Sequence, residues 1–103
     1  MDEATRQRIE KDIKNNKIML YMKGTTQEPQ CGFSAQVVSV LNTYHVPFKT
    51  FNILEDEAIR QGIKEFSDWP TVPQLYVDGQ FIGGCDIVTE MHNNGELKEI
   101  LGN

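Results

Sequence analysis

The stretch Trp69-Pro70-Thr71-Val72-Pro73-Gln74-Leu75-Tyr76-Val77-Asp78-Gly79-Gln80-Phe81-Ile82 decides what this chain can fold into. Each proline fixes its own φ and restricts the residue before it, so residues 69–73 form a stiff lead-in. Gln74 to Val77 and Gln80 to Ile82 then read as two strands around an Asp78-Gly79 turn signal. Such a hairpin supplies antiparallel strands. Upstream, Lys17 to Met22 is a nearly continuous apolar run, the pattern of a strand covered on both faces. From Cys31 the period changes: Val37, Val38 and Leu41, with Ser34 and Tyr44 on the same stripe, predict an amphipathic helix. His45-Val46-Pro47 stops it, and Phe48 to Ile53 returns to strand composition. A β-α-β order implies a parallel pair joined by a right-handed crossover. The hairpin must extend that pair with antiparallel strands, so the expected fold is α/β, a mixed sheet between layers of helices.

The remaining segments fit around this frame. Asp2 to Asn16 reads as a charged helix with Ile9 and Ile13 four apart, and Lys23 to Gln30 as a polar loop. Asp56 is positioned to cap a third helix through Phe66, with Ile59, Ile63 and Phe66 as its buried stripe. Gly83-Gly84 should break the second hairpin strand. Asp86 to His92 and Glu96 to Leu101 then read as two closing helices, punctuated by Asn93-Asn94-Gly95. With no repeat, linker or low-complexity tract, residues 1–103 are expected to form a single domain. A chain of this length buries roughly 60–70% of its extended surface, enough for one core without disulfides or metal.

Charge narrows the function classes. Fifteen acidic against ten basic residues give a net charge of −5. That argues against general affinity for nucleic acid or anionic membrane, both of which need a basic surface. No apolar run approaches the roughly 20 residues of a membrane helix, and the acidic start Met1-Asp2-Glu3 does not read as a secretory signal. Two cysteines are too few for a disulfide scaffold and suit a reducing compartment. The expected location is the cytoplasm, or the mitochondrial matrix or a plastid if a presequence has been removed.

Cys31 lies where the loop meets the helix, in Gln30-Cys31-Gly32-Phe33-Ser34. A thiol at a helix N-terminus faces unpaired backbone N–H groups and the positive end of the helix dipole, and both favour thiolate. Lys23, at the end of the preceding strand, adds a cation if the fold brings the loop back. Ser34 holds the place where a Cys-x-x-Cys motif would carry its second thiol, so a dithiol cycle through that motif is impossible. Redox chemistry must then use an external thiol or a distant residue such as Cys85. Cys31, His45, Cys85 and His92 lack the paired short spacings of a structural zinc site. An iron–sulfur cluster normally wants four thiolates, a requirement that two chains and two small-molecule thiols could meet together. There is no phosphate-binding glycine loop, and neither histidine has a partner for hydrolase chemistry. Trp69, before Pro70, is an aromatic that a stiff loop can hold at the surface.

Four motifs in order resemble the single-domain monothiol glutaredoxins: Met22-Lys23-Gly24-Thr25, Cys31-Gly32-Phe33-Ser34, Trp69-Pro70-Thr71-Val72-Pro73-Gln74-Leu75-Tyr76-Val77 and Gly83-Gly84-Cys85-Asp86-Ile87. The resemblance implies a thioredoxin-like (glutaredoxin) fold, with a four-stranded mixed β-sheet flanked by helices on both faces. It implies that Cys31 is the active thiol and metal ligand, with reduced glutathione bound beside it. Lys23 and Arg60 would face the glycine carboxylate of glutathione. The backbone of Val72, ahead of a cis Pro73, would pair with the cysteinyl part, and Cys85 and Asp86 would hold the γ-glutamyl end. It further implies a homodimer bridged by a [2Fe-2S] cluster, with two Cys31 thiolates and two glutathiones as ligands. Cluster delivery to apo iron–sulfur acceptor proteins, iron homeostasis and BolA-type partners would follow. The longer loop from Thr26 to Gln30 is associated in that class with weak classical activity. The alternative on the same site is glutathione-dependent thiol–disulfide exchange, the deglutathionylation of proteins through a single cysteine.

Overall fold

The computed structural model describes residues 1–102. Its elements run in chain order as α1 (Glu3–Asn15), β1 (Ile18–Met22), α2 (Gly32–Asn42), β2 (Lys49–Asn52), a single 3-10 turn (Ile53–Glu55), α3 (Glu57–Ser67), β3 (Gln74–Val77), β4 (Gln80–Gly83), α4 (Cys85–Asn94) and α5 (Glu96–Leu101). The sheet order is β2-β1-β3-β4. β1 and β2 are parallel, whereas β3 is antiparallel to both β1 and β4. This is the mixed four-stranded sheet expected from a β-α-β unit extended by a hairpin.

The apolar run of β1 is buried along its whole length because helices cover both faces. Ile18, Leu20 and Met22 point to one side, where Val37, Val38 and Leu41 of α2, Val88 of α4 and Leu97 and Leu101 of α5 complete a core. Met19 and Tyr21 point to the other, against Ile9 and Ile13 of α1 and Ile59 and Ile63 of α3. β3 alternates likewise, with Leu75 and Val77 in the first core and Tyr76 in the second. The second layer needs a close helix contact: a Cβ at Gly62 of α3 would stand 2.7 Å from the Thr5 methyl of α1.

Element ends follow their caps. Asp2 accepts from the Thr5 N–H and Asp56 from the Ile59 N–H, each satisfying an orphan donor at a helix start. Several details differ from the sequence reading, among them α4, which continues through Asn93 and Asn94 and stops at Gly95. The strand composition of Phe48 to Ile53 ends in the 3-10 turn, because the Asn52 side chain accepts from the Leu54 N–H and caps it. β4 runs through Gly83, so the break falls at Gly84, the N-cap of α4. Phe66 is half-buried on the edge of its stripe.

Candidate functional site

Cys31 is the N-cap of α2, and its sulfur accepts from the Ser34 N–H at 3.3 Å. The Ser34 hydroxyl lies 3.3 Å from the same sulfur and accepts from the Lys23 N–H at 3.1 Å, tying the end of β1 to the start of α2. Burial pushes the thiol up, but hydrogen bonds from Ser34 and Phe33 and the charge of Lys23 outweigh it and hold Cys31 below the ordinary thiol value. Both cysteines are free thiols.

The loop before Cys31 is folded back on itself. Gln30 N–H donates to the Lys23 carbonyl and Thr25 N–H to that of Glu28, while Gly24 N–H donates to the Asn52 side chain. Gly24 has φ +89°, and a Cβ there would run into the Glu28 carbonyl, so the turn that returns the chain to Cys31 requires glycine.

A groove of about 490 Å³ opens beside this thiol, with Lys23 and Phe33 on its wall. Residues 69–73 form a second wall, and the Val72–Pro73 peptide is cis, as the family resemblance implies. Gly84, Cys85, Asp86 and Ile87, at the start of α4, form a third. Among the described residues no side chain caps that helix start, so its unpaired N–H groups and positive dipole end are left to the groove. Phe33 (65% exposed), Trp69 (41%) and Ile87 (38%) surround the opening with apolar surface that the core does not use.

Of the residues singled out in the sequence, Lys23, Val72, Pro73, Cys85 and Asp86 line one groove, with Cys31 adjoining it through Lys23 and Phe33. Arg60 does not line it. Lys64, one helical turn further along the same face of α3, does. Its spacing of four from Arg60 was the available signal. Phe33 and Ile87 carried no site assignment either, since an apolar residue next to a motif reads as core until its exposure is seen. His45 is exposed in a left-handed conformation, and the His92 ring accepts or donates at 2.6 Å to Tyr44, so neither joins the thiol.

A helix-start thiol with serine where its motif would carry a second cysteine, set beside a groove that ends on another helix start, defines a monothiol site of the thioredoxin-like class. The glutaredoxin family model matches residues 18–82. The chain is 54% identical over 101 residues to an uncharacterized monothiol glutaredoxin, ycf64-like, of Synechocystis sp., covering 98% of this chain and 94% of that one. It is equally identical over 93 residues to a probable monothiol glutaredoxin 2 of Rickettsia felis, covering 90% and 89%. The solution structure of reduced apo GrxS14 from poplar superposes with a TM-score of 0.81 at 52% identity, over 91% of this chain and 86% of that one. A buckwheat glutaredoxin–glutathione complex shares the fold at TM-score 0.87 and 23% identity, over 97% and 89% of the two chains. The chain belongs to the glutaredoxin family, in its monothiol branch.

Proposed function

We propose that this chain binds reduced glutathione in the groove beside Cys31 and, as a pair of copies, carries a [2Fe-2S] cluster as cargo for apo iron–sulfur acceptor proteins. The observation that carries the reading is one activated thiol next to a groove with cations at one end and an open helix start at the other. Lys23 faces the glycine carboxylate of glutathione, with Lys64 on the groove wall and Arg60, one turn back on the same face of α3 and outside that wall, adding positive charge. The Val72 backbone before Pro73 pairs with the cysteinyl part. The start of α4, with Cys85 and Asp86, receives the γ-glutamyl end.

The donor set explains why two copies are needed. Among the described residues no three His, Cys, Asp or Glu side chains come together as a metal site. One chain thus offers one working thiolate, Cys31, where a cluster takes four. Two chains and two bound glutathiones make up the number, and a cluster held partly by exchangeable ligands can leave for an acceptor. BolA-type proteins are the expected partners, and cluster carriage serves iron homeostasis. A reducing compartment is required, whether cytoplasm, mitochondrial matrix or plastid; relatives include chloroplastic and mitochondrial forms. Among the described residues no helix is long and apolar enough to cross a membrane.

The test is anaerobic reconstitution with iron, sulfide and glutathione, followed by visible absorption and sizing. A chromophore that elutes with a dimer and needs both Cys31 and glutathione supports the carrier reading. No chromophore, or one indifferent to Cys31→Ser or to omitting glutathione, refutes it.

The depressed thiol favours a second reading on the same site. Cys31 thiolate attacks the glutathione sulfur of a protein–glutathione disulfide, and the protein thiolate leaves and takes up a proton. A second glutathione thiolate then attacks the Cys31–glutathione bond, releasing glutathione disulfide and restoring Cys31. Rapid steady-state deglutathionylation would promote this reading over the first.

A further inference from the structure

The wall of the groove at residues 69–71 poses a physical question. Trp69, Pro70 and Thr71 are all exposed, so burial does not hold them in place. The Trp69 N–H is tied to the Lys64 carbonyl and the Ser67 hydroxyl at the end of α3, and its ring leans on Phe81 of β4, contacts that hold Trp69 but not Pro70 or Thr71. From beneath, the Gln74 side chain reaches the segment. Gln74 is fully buried, and its Nε2 donates to the Trp69 carbonyl at 3.2 Å and to the Thr71 carbonyl at 3.1 Å. A primary amide has two N–H donors, and here both are committed to the carbonyls that bracket Pro70. Its oxygen accepts from the Tyr76 hydroxyl at 3.0 Å. The Tyr76 ring is itself wedged among Tyr21, Phe66 and Phe81, with centroids 5.4–6.2 Å away. Turning the amide over would set its oxygen against two carbonyl oxygens, so only one orientation satisfies the network.

We propose that Gln74 is a positioning residue for the glutathione groove, clamping the Trp69–Thr71 wall from inside the sheet, with Tyr76 holding the amide in its working orientation. This rests on reading the groove as the glutathione site. Gln74 begins β3 and pairs with Tyr21 of β1, so the clamp refers the wall to the most buried strands of the molecule. Without it the two carbonyls must find water, and the segment swings on its α3 anchor and on Pro73.

The experiment uses Gln74→Met in the full chain, a change that keeps length and apolar volume but removes both donors and the acceptor. Trp69 is the only tryptophan, so its emission reports the wall directly. The expected results are a red-shifted emission, a lower Trp69 anisotropy and roughly tenfold weaker binding of reduced glutathione, the scale expected when a positioning group is lost. Turnover of a glutathionylated peptide should show a raised KM with kcat little changed. Alkylation of Cys31 by iodoacetamide at fixed pH should stay within about twofold of wild type, because the thiol's own hydrogen bonds are untouched. A folded variant with wild-type Trp69 emission and wild-type glutathione binding overturns the proposal, as does a loss of stability with binding unmoved. If Gln74→Met does not fold, Tyr76→Phe, which removes the donor to the amide oxygen and leaves both amide N–H groups in place, must move the same readouts in the same direction or the proposal fails. Should the wild type itself not bind glutathione, the proposed function fails, and Trp69 emission and anisotropy in the unliganded variants decide the role of Gln74 alone.

Discussion

Replacing Ser34 by alanine removes one oxygen that serves two partners, and the two losses can be read separately. The hydroxyl is fully buried, accepts the Lys23 N–H at 3.1 Å and lies 3.3 Å from the Cys31 sulfur. Leaving the Lys23 N–H unpaired costs about 1–3 kcal/mol. Alanine's better helix propensity returns about half a kcal/mol. A net loss near 1–2 kcal/mol corresponds to a fall in Tm of roughly 5–15 °C for a domain of this size. The second loss falls on the thiolate. A hydrogen bond from a hydroxyl favours the charged sulfur, so the midpoint for thiolate formation should rise when it is lost. The Ser34 N–H, which alanine keeps, still donates to the sulfur and limits the effect. Iodoacetamide alkylation followed against pH, with Cys85→Ser in both backgrounds, measures the midpoint; thermal unfolding measures the stability. An unchanged alkylation profile in a folded Ser34→Ala protein would refute the reasoning, since it would mean that the hydroxyl does not serve the sulfur.

Three further outcomes are expected. Among the described residues the buried Tyr21 hydroxyl has no hydrogen-bond partner, and burial raises its pKa; Tyr21→Phe should therefore leave Tm unchanged or raise it, by up to about 1 kcal/mol in stability. Gly62→Ala should lower the urea midpoint by the equivalent of about 1–2 kcal/mol, overpacking against Thr5 outweighing the gain in helix propensity, and Thr5→Ser should restore much of the loss by removing the methyl that collides. Because the folded protein holds the Cys31 thiol below its unfolded value, ionisation stabilises the native state. That contribution is fully present above the ordinary thiol pKa and fades as pH falls through the lower folded value. Chemical unfolding of wild type and Cys31→Ser across that window should diverge at the alkaline end and converge at the acid end.

The fold was legible where one local signal had one physical meaning. The unbroken apolar run of β1 said that both faces are covered, and the Asp78-Gly79 turn said that the next strands return antiparallel. Asp56 marked the start of α3 by the chemistry of its cap. The 3-10 turn after Asn52 was hidden because Ile53 and Leu54 look like strand residues, and only the Asn52 side chain diverts the backbone. The site divided in the same way. Cys31 and its loop could be read because a thiol at a helix start carries its own electrostatic argument. The groove could not be assembled from spacing alone, since its walls come from Lys23 just past β1, Phe33 of α2, Lys64 of α3, the 69–73 segment and the start of α4, brought together by the fold. Lys64 in place of Arg60 on the groove wall depends on how α3 is rotated about its axis, which the close contact at Gly62 sets. Gln74 reads in sequence as the polar first residue of a strand; its two carbonyl partners lie in an irregular segment whose path no periodicity describes.

The complete burial of β1 has a consequence for how the molecule comes apart. Its even-numbered residues belong to one core and its odd-numbered residues to the other, so a single strand is the shared wall between two hydrophobic layers. Neither layer can loosen without exposing the back of the other. The α1–α3 side and the α2–α4–α5 side should therefore melt together rather than as separate cooperative units, and amide exchange should be slowest along β1 and β3. The same wall runs straight into Lys23 and, through Ser34, to Cys31. Cys31 is thus fastened to the part of the protein expected to open last, while the exposed apolar rim of Phe33, Trp69 and Ile87 belongs to the periphery.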